Sequence, residues 1–246
     1  MYCNTALGRG GAARIATDLC KQVSNNGIEV LYAYSDGNPA ADFEIFVTES
    51  GLERHLNALT CRVFDNDGFS AKQSTRRIVA ECERFKPDVF HLHNAHGYYL
   101  SIERLLDYLN KVHIPLVWTF HDFWPLTGHC VYFRQVDCQK WRDATCDHCP
   151  QKKSYPSSLV CDMSNVNAKR KKSALIGIDK LTIVTPSRWM ADVISDSYIG
   201  SRSILPIYNG IDLNSFHPVD STVKEKFGLL GINVVLGLSN GWVVRK

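Results

Sequence analysis

The sequence has no run of about eighteen apolar residues, so no stretch of it reads as a membrane-spanning helix. Its first residues, MYCNTALGRGG, lack the apolar core of a secretory signal. An excess of either charge is also missing: 28 Lys and Arg face 25 Asp and Glu, for a formal charge of +3. That is far from the concentrated basic face that nucleic acid binding asks for. A globular chain with no nucleic acid partner is expected, with a cytoplasmic location as the default. At 246 residues and 45% hydrophobic content it can bury one large or two modest cores.

Residues 116–156, LVWTFHDFWPLTGHCVYFRQVDCQKWRDATCDHCPQKKSYP, organise the rest. An apolar strand over 116–120 ends abruptly in His121 and Asp122. Ligands of open α/β sheets sit beyond the carboxyl ends of strands, which makes His121 the first candidate site residue. Capping of the strand is the plainer alternative. The loop that follows, 123–156, carries Cys130, Cys138, Cys146 and Cys149, the last two spaced C-x-x-C. Four thiolates match a closed, structural zinc site, and His129 or His148 could replace one of them. Disulfides, a redox pair and plain buried thiols are the competing readings. Cys20 and Cys82 read as small hydrophobes on core faces.

Near the start, Gly8-Arg9-Gly10-Gly11-Ala12-Ala13 precedes Ile15, Leu19 and Val23 at four-residue intervals, so the glycines open a helix. Its free N–H groups favour an anion. The G-x-G-x-x-A pattern, with Asp36 further on, admits a dinucleotide site, although only about six residues stand before it as a clipped first strand. Strands are expected over 28–34 and 43–47, while the remainder of 40–74 shows no clear period. A helix through Ile78, Cys82 and Phe85, a strand over 88–93, and a helix with Ile102, Leu105, Leu106 and Leu109 follow. The 88–93 strand ends in His91, His93, Asn94 and His96, which admits a second metal reading together with His121 and Asp122.

Residues 165–175 read as a helix carrying Lys169-Arg170-Lys171-Lys172, taken as a solvated face, with contact to an anionic surface as the alternative. A strand over 181–185 leads to Ser187, an N-cap candidate. Another strand over 203–207 precedes a turn-rich linker, a short helix over 223–227 and a fresh strand over 233–238. Alternation of strand and helix predicts a Rossmann-like α/β parallel sheet flanked by helices, interrupted by the Cys-rich insertion. The expected division is a domain over 1–205, a linker over 206–218, and the start of a second domain over 219–246. Both ends are expected to be cut from a longer protein.

Jointly, GRGGAARIA, PDVFHLHN, WTFHDFWPLTGHC with its cysteine loop, VTPSRWMADV and YNGIDLNSFHP resemble the N-terminal half of family 4 (group 1) glycosyltransferases. The similarity runs over about residues 8–246 and is nearest the colanic-acid and exopolysaccharide type. It implies a GT-B architecture, a retaining transfer that needs no metal for catalysis, a nucleotide-sugar donor and a saccharide or lipid-linked saccharide acceptor. Peripheral contact at the inner face of a membrane would be compatible with such an acceptor. His121 would face the transferred sugar with Asp122 supporting it. Gly10, Gly11, His93, Asn94, Ser187, Arg188, Asn209, Gly210, Arg245 and Lys246 would line the substrates. The chain departs from the family at Gly241, where many members have arginine, and the paired donor-side glutamates of the family's second domain are missing from it. A non-catalytic sugar-binding or zinc-stabilised module and an NAD(P)-linked enzyme are the other readings.

Overall fold

The computed structural model describes residues 1–37 and 41–237. Met1–Tyr208 forms one compact unit, and Asn209–Lys246 separates as a second. The first unit is built on seven strands: β1 (Tyr2–Leu7), β2 (Leu31–Gly37), β3 (Glu44–Val47), β4 (Phe90–Leu92), β5 (Leu116–Thr119), β6 (Leu181–Thr185) and β7 (Ser203–Pro206). They lie in the order β3-β2-β1-β4-β5-β6-β7, with every neighbouring pair parallel. The expected α/β parallel sheet is therefore present. From β1 the chain builds outward to one edge, and from β4 to the other. The crevice at the carboxyl ends of β1 and β4 is the switch point where such sheets bind ligands.

The first strand is fully integrated in the sheet. Six residues are an ordinary strand length, and β1 is an inner strand. It pairs with β2 from Tyr2↔Tyr32 to Leu7↔Gly37 and with β4 at Tyr2↔His91 and Cys3↔Leu92. The Met1 amino group donates to the Val89 carbonyl at 2.8 Å, tying the strand down from its first atom.

After β1, Gly10 turns the chain at φ 87°, a left-handed conformation that favours glycine, into α1 (Gly11–Asn25). The helix exists, yet its packed face is Ala13, Ala16, Thr17 and Cys20, while Leu19 remains 40% exposed. Small side chains let a helix lie close to a sheet, so the true inner face sits beside the one that large residues mark. Ala16 and Cys20 meet Leu7 and Tyr32 there.

The aperiodic region contains α2 (Gly51–Phe64), whose N-cap Ser50 accepts from Glu53 N. Only Cys61 of α2 is buried, and Leu52, Leu56 and Leu59 face outward at 73, 56 and 58% exposure. A helix without a buried stripe cannot be read by looking for one. By contrast, α4 (Ile102–Lys111) buries Ile102, Leu105, Leu106 and Leu109 as its period requires. It neighbours α3 (Lys72–Phe85) and α5 (Ser164–Gly177). The main core gathers Trp118, Trp124, Phe90, Phe120 and Tyr99 between these helices and the sheet.

The basic run on α5 is not a solvated face as a whole. Lys169 is exposed, but Lys171 is 2% exposed and donates to the carbonyls of Trp124 (2.8 Å) and Thr127 (3.0 Å). Its ammonium also lies 3.2 Å from the centre of the Trp124 ring. Arg170 pairs with Glu103, and Lys172 donates to the Asp143 carbonyl at 3.1 Å. Four consecutive helical residues point about 100° apart, so one of them had to face inward.

α6 (Arg188–Ser195) follows β6, with Ser187 capping it by accepting from Met190 N at 3.2 Å. In the second unit, α7 (Val223–Lys226) forms near its expected place. The strand expected over 233–238 does not form within residues 233–237, which pair with no other strand among the described residues. Residue 238 lies outside the described residues.

Candidate active site at the strand ends

Three strand ends meet where the sheet order reverses. At the end of β4, His93 is 1% exposed and shares a hydrogen bond from its Nδ1 with His121 Nε2, at 2.9 Å. The indole of Trp118 donates to the His93 carbonyl at 2.8 Å and fixes the backbone there. His91 bonds to Thr119 Oγ1 at 2.8 Å and stacks on His93, ring centres 4.4 Å apart. Asn94 is held through its backbone N–H, which donates to Asn4 Oδ1 at 3.0 Å. His93, Asn94 and His121, read separately from sequence, are therefore brought together.

Asp122 takes a different partner from the one expected. Its carboxylate bonds to His96 Nε2 at 2.7 Å and accepts from Trp124 N at 2.9 Å, whereas His121 leans on His93. The other nitrogen of His96 bonds to the Tyr155 hydroxyl at 2.9 Å, so a Tyr155, His96, Asp122 chain runs along the rim. Thr5, at the end of β1, donates to the His96 carbonyl at 2.5 Å and joins the third strand to it.

Electrostatics separate the two groups. Burial lowers the pKa of His91 and of His121 to about 4, and burial with the neighbouring rings drives His93 well down. All three are neutral at pH 7. Burial also works against a charged His96, but the Asp122 carboxylate and Asp67 outweigh it and raise its pKa. For Asp122, burial pushes upward, and His96 together with the Trp124 N–H pulls the pKa below the usual range. Three histidines held toward the neutral form thus stand beside a histidine whose charged form Asp122 favours. The rings bond to one another and to Thr119, and among the described residues no group of three such side chains is arranged to hold a metal ion. For the metal reading through His91, His93, His121 and Asp122, these side chains would have to leave their present partners, since His91 bonds to Thr119, His93 to His121 and Asp122 to His96.

Beside the rim opens a cleft of about 430 Å³, lined by Arg9, Arg54, His55, Arg62, Tyr98 and Tyr155 among others. Gly10 and Gly11 are exposed, and a Cβ on either would meet nothing within 4 Å, so a ligand can come close to the backbone N–H groups at the start of α1. Asp36 lines the same cleft, but it pairs with Arg54 at 2.9 Å and Arg9 at 3.5 Å. A carboxylate engaged by two guanidiniums is poorly placed to receive a ribose hydroxyl. Arg54, Arg62, Tyr98 and Tyr155 were not foreseen. Two lie on the helix without a buried stripe, and nothing marks the tyrosines except their nearness in space.

Ser187 and Arg188 stand at the end of β6, on the same rim and one strand beyond His121, with no hydrogen bond to the histidine group among the described residues. Asn209 and Gly210 belong to the second unit and are exposed. Arg245 and Lys246 lie outside the described residues. Cys130, Cys138, Cys146 and Cys149 all line one small void away from the rim, together with His129. His148 does not line it, and its side chain is 94% exposed.

The sequence profile of Glycosyltransferase Family 4 matches residues 9–151, more than half of the chain. The chain belongs to that family. The match takes in Gly10 and Gly11, both histidine-bearing strand ends and all four loop cysteines. Among curated relatives, WcaC of Escherichia coli (strain K12), a protein named for glycosyl transfer in colanic acid biosynthesis, is 28% identical over 224 residues. That alignment covers 85% of this chain and 54% of WcaC, so the chain spans about half the length of the relative it matches. Two solved structures also align at low similarity. LpCGTa in complex with UDP has a TM-score of 0.39 and 12% identity, covering 86% of this chain and 53% of that one. Acinetobacter baumannii MurG has a TM-score of 0.33 and 13% identity, covering 87% and 68%.

Proposed function

We propose that this family 4 chain is the acceptor-binding part of a retaining glycosyltransferase of GT-B architecture. It would move a sugar from a nucleotide-sugar donor to a saccharide or lipid-linked saccharide during surface polysaccharide assembly. The observation that carries this reading is the convergence of His93, His121 and the Asp122–His96 pair at the switch point, all within the span that matches the family. Glycosyl transfer builds positive charge at the anomeric carbon and negative charge on the departing diphosphate. A neutral His121 is suited to hold a sugar hydroxyl by hydrogen bonding. Gly10 and Gly11 offer N–H groups to a phosphate at the start of α1.

The cleft supports an acceptor that carries negative charge. Arg9, Arg54 and Arg62 face a single carboxylate, Asp36, among its lining residues. The helix that supplies Arg54 and Arg62 also exposes Leu52, Leu56 and Leu59. Peripheral membrane contact, if the acceptor is lipid-linked, is therefore assigned to α2 rather than to the basic run of α5. The test is turnover of a panel of UDP- and GDP-sugars by this chain and by the longest gene product that contains it. Sugar transfer to a saccharide supports the reading. Saccharide binding with no donor use by either form would replace it with a non-catalytic module.

A further inference from the structure

Loop 123–156 holds a void that the proposed transfer does not use. Its walls are firm: Phe133 stacks on Trp141 with ring centres 4.6 Å apart, Phe123 packs on Phe133 at 4.7 Å, and the Trp141 indole donates to the Cys138 carbonyl at 2.9 Å. The void measures about 20 Å³, close to the size of a single atomic guest. Cys130, Cys138, Cys146 and Cys149 all line it, and none is in a disulfide. Four thiols from separate points of one loop thus converge on one small space.

Two further observations point to an ion. Gly128 N donates to Cys146 Sγ at 3.3 Å, so this sulfur already sits as a hydrogen-bond acceptor at the wall of the void. His129, whose side chain is fully shielded, is gripped at Nδ1 by Asp65 at 2.5 Å. Its Nε2 is buried and has no hydrogen-bond partner of good geometry, although the Ser154 carbonyl is nearby. A carboxylate on one ring nitrogen with the other left free is the way metal-binding histidines are oriented.

We infer that the inserted loop holds one zinc ion on Cys130, Cys138, Cys146 and Cys149, with His129 backing the site. Soft thiolates in a tetrahedral set select zinc, and four of them leave no open position, so the ion is structural and takes no part in transfer. Among the described residues no three donors converge on one point. Binding draws the sulfurs inward around the void and releases their protons. The consequence reaches the rim, because Tyr155, which bonds to His96, belongs to the same loop.

The test begins with the native chain purified under reducing conditions. Metal analysis gives about one zinc per chain, from the four-thiolate count. Alkylation followed by mass spectrometry finds Cys130, Cys138, Cys146 and Cys149 protected until a chelator is added. Replacement by cobalt gives the intense sulfur-to-metal absorption of a tetrahedral thiolate site. Cys146→Ser abolishes that absorption, whereas Cys20→Ser, on the far core face, keeps it. A folded, metal-free chain whose four loop thiols alkylate freely would overturn the inference. So would a stable disulfide between any two of them.

Discussion

His91, His93 and His121 form a column of rings, His93 buried and the other two half-buried, all with pKa values lowered chiefly by loss of water. In the unfolded chain each titrates near 6.5. Between pH 6.5 and about 4 the unfolded state therefore binds more protons than the folded one, and stability falls on acidification. Taking the drop to about 4 at face value, each of His91 and His121 should lower stability on the order of 1–2 kcal/mol between pH 7 and pH 5. Urea unfolding at the two pH values checks this, and His91→Gln should flatten the dependence. Lys171 supplies a second test. Burial pulls its pKa down to about 7, against the attraction of Asp67 and Asp65, and it satisfies two buried carbonyls. Lys171→Ala should cost about 2 kcal/mol or more, because the carbonyls of Trp124 and Thr127 lose their donor. Lys169→Ala, on the exposed side, should stay within about 0.5 kcal/mol. Equilibrium denaturation of the two variants separates them. Sequence showed the basic run but not which lysine faced inward, since that depends on how α5 is rotated against the loop.

At the scale of elements, α4 was readable because its buried positions are all large, and β6 because a short apolar run ends in a proline. α1 was readable as a helix, and Cys20 as part of its inner face, but Ala16 rather than Ile15 or Leu19 completes the contact with the sheet. α2 was not readable at all, and it brings the cationic side of the cleft. Two expectations follow for these elements. Arg54→Ala should raise KM for a negatively charged acceptor several-fold with a smaller effect on an uncharged analogue, which steady-state kinetics would show; equal effects would remove the charge argument. Gly10→Ala places a side chain at φ 87° with free space around it, so the expected cost is backbone strain alone, of order 1–3 kcal/mol. Thermal unfolding measures it.

For the whole molecule, the order of strands and helices gave the parallel sheet, and the histidines at two strand ends gave half of the candidate site. The other half came from distant segments. Tyr155 reaches His96 from the far end of the cysteine loop, and Thr5 joins from β1. The pairing of His121 with His93, and of Asp122 with His96, depends on strand register: Leu92 lies opposite Trp118, which brings the two strand ends level. Register follows from long-range pairing, and no local pattern contains it.

In the proposed function, sugar transfer takes place at this rim, with His121 facing the reacting sugar. Its most direct test is transfer measured in the longest gene product containing this chain, comparing wild type, His121→Ala and Lys169→Ala. The expected result is a loss of kcat of about 100-fold or more for His121→Ala, for removal of a group held against the transition state, with folding retained and Lys169→Ala unchanged. Turnover by His121→Ala equal to wild type would contradict the account.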